Sequence, residues 1–127
     1  MSENHNKIQS DKCVAFVHHK GGTGKTTSCL NIAGWLVKMN KKVLVVDLDA
    51  QGNATAGLGL DRKTIDGSIY DVIFNKKNIK KIILETPSGV YLAPSSLDLL
   101  KAEMCLGDQE IRMDLLNKKI KRYRKIF

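Results

Sequence analysis

The stretch Lys20-Gly21-Gly22-Thr23-Gly24-Lys25-Thr26-Thr27 constrains the fold of this chain more than any other. Before it lies a continuous apolar run, Val14-Ala15-Phe16-Val17. Such a run predicts a strand buried on both faces, as in a parallel sheet. After it, Cys29, Ile32, Ala33, Leu36 and Val37 recur at helical spacing, with Asn40 as the stop. Val43-Leu44-Val45-Val46 then reads as a second apolar strand ending at Asp47. Strand, glycine turn, helix and strand make a βαβ unit, whose crossover is right-handed. The expected class is α/β: a parallel sheet with flanking helices.

Glycines at this position have a physical use. Successive backbone N–H groups can point at one anion only where no side chain blocks the approach. The helix that follows adds the partial positive charge of its N-terminus. Gly21, Gly22 and Gly24 meet both demands, so the loop reads as a phosphate cradle with Thr23 inside it. Lys25 is placed to reach the β- and γ-phosphates, Thr26 to offer a hydroxyl to Mg²⁺, and Thr27 to bond the α-phosphate. His19 stands where the usual G-x4-G-K-[ST] pattern has its first glycine. The segment Asp47-Leu48-Asp49-Ala50-Gln51-Gly52-Asn53-Ala54-Thr55 forms a second cluster. Carboxylates at i and i+2 leaving a strand can both face the crevice at the sheet's carboxyl edge. There one can hold a Mg²⁺-bound water and the other orient an attacking water. The plainer reading is that polar residues simply end the strand.

These two clusters carry a resemblance. Lys20-Gly21-Gly22-x-Gly24-Lys25-Thr26-Thr27 resembles the deviant Walker A motif of the ParA/MinD/nitrogenase-iron-protein superfamily. In that superfamily a signature lysine reaches across a nucleotide-sandwich dimer, which implies the same role for Lys20. The acid segment is similar to the D-x-D-P-Q-G-N-A-T stretch of ParA/Soj partitioning ATPases, with Ala50 in place of Pro. The resemblance implies that Lys20, Lys25 and Asp49 are catalytic, that Asp49 positions the hydrolytic water, and that Thr26 and Asp47 lie near Mg²⁺. It further implies an ATP-dependent homodimer, a centromere-binding partner protein, non-specific DNA binding, and a cytoplasmic or nucleoid location. Leu92-Ala93-Pro94-Ser95-Ser96-Leu97-Asp98-Leu99, with Glu103 after it, resembles the strand–loop–helix of the same proteins. The likeness spans about residues 13 to 106.

One departure matters. A P-loop ATPase also needs a Walker B strand, an apolar run ending in an Asp that holds Mg²⁺ through water. No such run follows Asp47. The expected organisation is therefore a flexible segment at 1–12 and, over 13–127, the N-terminal part of such a domain without Walker B. A sheet of about three strands should leave an open edge and an uncovered apolar face, which predicts poor solubility, and the missing Walker B predicts weak or absent hydrolysis. The alternative function is a catalytically inactive fragment or interaction module.

Elsewhere the sequence predicts a short helix at 69–74, a strand at 89–94, and a helix over about 97–105 capped by Ser95 or Ser96. A last amphipathic helix should run from about Gln109, with Met113, Leu116, Ile120 and Tyr123 on one face. Residues 49–67 read mostly as loop, and 79–84 as either helix end or strand. The formal charge is +8, six of it from Lys118, Lys119, Lys121, Arg122, Arg124 and Lys125. That basic tail reads either as a solvated helix face or as a contact for DNA phosphates. Cys13, Cys29 and Cys105 lack CxxC spacing, which argues against disulfides and zinc. Cys13 and Cys29, in apolar runs, are expected to be small buried hydrophobes. His18 and His19, expected on opposite faces of a strand, read as loop-shaping rather than metal-binding. No run of about eighteen apolar residues or secretory leader is seen.

Overall fold

The computed structural model describes residues 12–106, 113–121 and 123–127. Three strands form one sheet: β1 (Leu44–Val46), β2 (Leu84–Glu85) and β3 (Tyr91–Ala93), in the order β1-β3-β2. β1 and β3 are parallel, with Val45 opposite Leu92 and Val46 opposite Ala93. β2 runs antiparallel to β3, so the sheet is mixed rather than wholly parallel. That antiparallel pairing has a local cause. β2 and β3 are joined by a tight turn, and a parallel pair needs a longer crossover. Gly89 in that turn has φ +80° and its N–H donates to Thr86 O at 2.9 Å.

The period of two along the strands divides the core between two faces. Leu44 and Val46 pack with Ile69, Val72, Ile79, Ile82 and Ala93 on one side. Val45 and Leu92 pack with Ala33, Ala54 and Val90 on the other. Helices cover both. The first face meets α3 (Ile69–Phe74) and α5 (Met113–Lys121). The second meets α1 (Lys25–Lys38), which also packs on α2 (Asn53–Gly57). A helix α4 (Leu99–Leu106) follows β3, and the Ser96 hydroxyl accepts the Asp98 amide at 3.0 Å ahead of it. A capping box starts α3: Ser68 N–H donates to Asp71 Oδ2 at 2.8 Å, and the Ser68 side chain accepts the Asp71 amide. The start of the last helix expected near Gln109 and the side chains of Glu103, Cys105 and Met113 lie outside the described residues.

Two expectations are corrected. Residues 14–17 form no strand, and Val14 and Val17 are 72% and 84% exposed. An apolar run becomes a doubly buried strand only with neighbours on both edges, and no described strand pairs with this one. Cys13, next to it, is exposed for the same reason. The second correction is α2, which stands inside the stretch read as loop. On α1 Ile32, Trp35 and Leu36 are also exposed, as is Met39 at its C-terminal cap.

Candidate functional site

α1 starts directly from the glycine loop. Its N-cap residue, Gly24, has φ +87°, and Gly22 has φ +71°, the left-handed region that glycine enters without strain. No side chain caps the helix and no acidic residue stands in its first turn. A Cβ on Gly21 or Gly22 would meet nothing within 4 Å. The loop is thus an open arc of backbone leading to the positive end of a 14-residue helix. That is the donor chemistry a phosphate group requires. Lys25 and Thr26 are half-buried in the first turn, whereas Lys20, Thr23 and Thr27 are exposed. The Thr23 hydroxyl donates to Lys20 O at 3.3 Å, and Thr27 O accepts Asn31 Nδ2 at 2.9 Å.

His18 and His19 are stacked, with ring centroids 4.7 Å apart, and His18 Nδ1 accepts the Lys20 amide at 3.0 Å. This supports a loop-shaping role. It also corrects the opposite-face geometry, because His18 lies outside any strand and His19 in a bend. Among the described residues no group of three His, Cys, Asp or Glu side chains is arranged to hold a metal.

The acid loop is built differently. Asp47, only 4% exposed, continues β1 by donating its amide to Ala93 O at 3.0 Å. Its Oδ1 accepts the Asp49 amide at 3.1 Å. Its Oδ2 accepts both the Thr55 amide at 2.8 Å and the Thr55 hydroxyl at 2.7 Å. Asp49 is exposed, with Oδ1 taking the Gln51 amide at 2.9 Å and Oδ2 the Asn53 amide nitrogen at 3.3 Å. Arg62 Nη1 donates to Ala50 O at 2.7 Å and ties the loop to the segment beyond α2.

The two clusters are brought to the same side of the sheet by α1, which packs on β1 and α2. Burial, and then the nearby Asp47 charge, push the Cys29 thiol pKa up. Cys29 lies one helical turn beyond Thr26, so the first turns of α1 stand beside Asp47. Among the described residues, however, no hydrogen bond or ion pair joins Lys20 or Lys25 to Asp47 or Asp49. Pattern reading passed over Thr55, Ser95 and Arg62 as site residues. Their partners lie 8, 46 and 12 residues away in sequence, and no local period reports such contacts.

Comparison with known proteins fits this arrangement. Residues 11–127 match the model of an AAA domain family. A chromosome-partitioning ATPase Soj from Treponema pallidum is 41% identical over 110 residues, covering 86% of this chain and 42% of that protein. The chain belongs to this family, in its ParA/Soj-type branch. Among solved structures, cobyrinic acid a,c-diamide synthase from Mycobacterium smegmatis, with a bound ATP analogue and magnesium, superposes with a TM-score of 0.81. It is 31% identical, and the match covers 87% of this chain and 46% of that one. A plasmid partition protein from Borrelia burgdorferi superposes with a TM-score of 0.72 at 27% identity, covering 88% of this chain and 50% of that one. This ParA/Soj-type chain therefore spans about half or less of the length of these relatives. Its fold is the α/β architecture of P-loop ATPases, and no helix among its described residues is long and apolar enough to cross a membrane.

Proposed function

We propose that this chain carries the phosphate-gripping and water-positioning part of a Mg²⁺-ATP-dependent dimer switch of the plasmid- or chromosome-partitioning kind. The observation that carries the proposal is the uncapped, left-handed glycine loop opening α1, the helix that packs on β1 and on α2 of the acid segment. Gly21, Gly22, Thr23 and Gly24 would wrap the phosphates with backbone N–H groups, Lys25 would neutralise them, and Thr27 would bond the innermost. Lys20, exposed ahead of the glycines, is free to extend toward a second protomer's nucleotide. Thr26 offers a hydroxyl to magnesium. Asp47 Oδ1, with one protein hydrogen bond, retains a lone pair for a magnesium-bound water. Asp49, exposed at the loop tip, would orient the attacking water. Bound magnesium would supply charge neutralisation at the phosphates.

By the same reading the partners are a second copy of the chain, a centromere-binding protein and non-specific DNA, in the cytoplasm or on the nucleoid. Sedimentation velocity tests the switch. Dimer formed with Mg²⁺-ATP but not Mg²⁺-ADP, and lost in Lys20→Ala, is the expected result. A monomer in every nucleotide state would refute it.

A second reading is favoured by one observation. The segment that should anchor the glycine loop, residues 14–17, pairs with no described strand, and its Val14 and Val17 are exposed. That supports an interaction module with little or no hydrolysis. Absence of steady phosphate release sensitive to Lys25→Ala is its expected outcome.

A further inference from the structure

Thr55 is fully buried, at 0% exposure, and both of its polar donors go to one carboxylate oxygen, Asp47 Oδ2. Gly52, the N-cap residue of α2, has no side chain to cap with. Asp47 supplies the cap from the end of β1, and Thr55 occupies the third position of the helix it caps. The bridge continues. Thr55 Oγ1 accepts the Ser95 amide at 3.3 Å, and the buried Ser95 hydroxyl donates to the Asp49 carbonyl. One hydroxyl thus links the acid of β1 to the loop after β3, and a second holds the backbone of the other acid. A carboxylate as buried as Asp47 is tolerated only with donors arranged around it. Here those donors also fix where Asp49 stands.

We propose that Thr55 and Ser95 are positioning residues. Thr55 locks the Asp47 carboxylate, and Ser95 pins the loop at Asp49, so that the exposed Asp49 carboxylate leaves the sheet edge from a fixed backbone. The consequence for nucleotide rests on the function proposed above, whereas the bridge itself does not. Thr55→Val keeps the shape and removes the hydroxyl; Thr55→Ser keeps the hydroxyl and removes the methyl. The test uses the full chain and its Thr55→Val, Thr55→Ser and Ser95→Ala variants, with amide exchange followed by NMR. Thr55→Val should raise exchange across 49–56 at least ten-fold and leave α3 unchanged. Thr55→Ser should stay within two-fold of wild type, and Ser95→Ala should loosen only 49–51.

Calorimetry with ATP supplies the second readout. Thr55→Val should weaken binding in Mg²⁺ at least five-fold and leave binding in EDTA unaltered, and Thr55→Ser should restore it. Equal exchange in Thr55→Val and wild type, or equal damage by both Thr55 variants, would overturn the bridge. Faster exchange with unaltered Mg²⁺-ATP affinity would overturn positioning and leave only a structural bond. If wild type itself binds no ATP, the nucleotide reading fails and the exchange result still decides the bridge.

Discussion

The glycine loop before α1 and the acid loop after β1 are held in different ways. The acid loop is closed by its own contacts: Asp47 on Thr55 and Asp49, Ser95 on Asp49, Arg62 on Ala50. It rests on two core clusters that include Ile69, Ile82 and Leu92, all essentially unexposed. The glycine loop has an anchoring segment with exposed Val14 and Val17 and a helix with an exposed apolar face. Its described bonds are short-range, such as Thr23 to Lys20 and Lys20 to His18. The difference teaches that one loop at a sheet edge can be preorganised by hydrogen bonds to nearby strands. The other, among its described residues, has only short-range bonds and an exposed approach to hold it.

The largest expected contrast is in packing. Ile69→Ala, at 0% exposure, should cost about 3 kcal/mol in urea unfolding, from lost transfer energy plus the cavity. Trp35→Ala, 65% exposed on α1, should stay within about 0.5 kcal/mol despite removing a larger side chain. Equal costs would erase the distinction between the two regions.

Glycine substitutions sharpen it next. Gly52→Ala in the acid loop meets φ +68° and would put a Cβ 2.6 Å from Arg62 Cδ, dislodging the bond to Ala50. A loss of about 2 kcal/mol is expected in thermal unfolding. Gly21→Ala in the glycine loop meets open space and should leave stability within about 0.5 kcal/mol. A large loss at Gly21 would mean the loop is packed as tightly as its counterpart.

Much of this was legible in the sequence. Helical spacing marked α1, alternation-free apolar runs marked β1 and β3, and Ser68 to Phe74 carries its own start signal through Asp71. The glycine loop and paired acids were legible because their chemistry demands residue types at fixed spacing. α2 was not. Asn53-Ala54-Thr55-Ala56-Gly57 has no apolar stripe, and its cap comes from Asp47 on a strand. Residues 14–17 failed in the opposite sense: their pattern states a preference for burial, and a pattern supplies no neighbours.

The smallest effect concerns pH and lies away from both loops. Burial tends to raise the Asp71 pKa, but hydrogen bonds from Asn75 and Ser68 and the charge of Lys77 outweigh it and hold the carboxyl below its ordinary range. A depressed folded-state pKa gives stability that is present above the unfolded value and lost as pH falls through the folded one. Asp71→Asn should therefore flatten the acid limb of the stability curve, by less than about 1 kcal/mol because the group is partly solvated. An unchanged acid limb would show that the α3 capping box adds nothing electrostatic.

Titration calorimetry of the chain with Mg²⁺-ATP, beside Lys25→Ala, tests the central claim most directly. The expected result is saturable binding that vanishes in the variant while its unfolding transition stays the same. Equal binding by both proteins, or none by a wild type that unfolds cooperatively, would contradict a working phosphate loop.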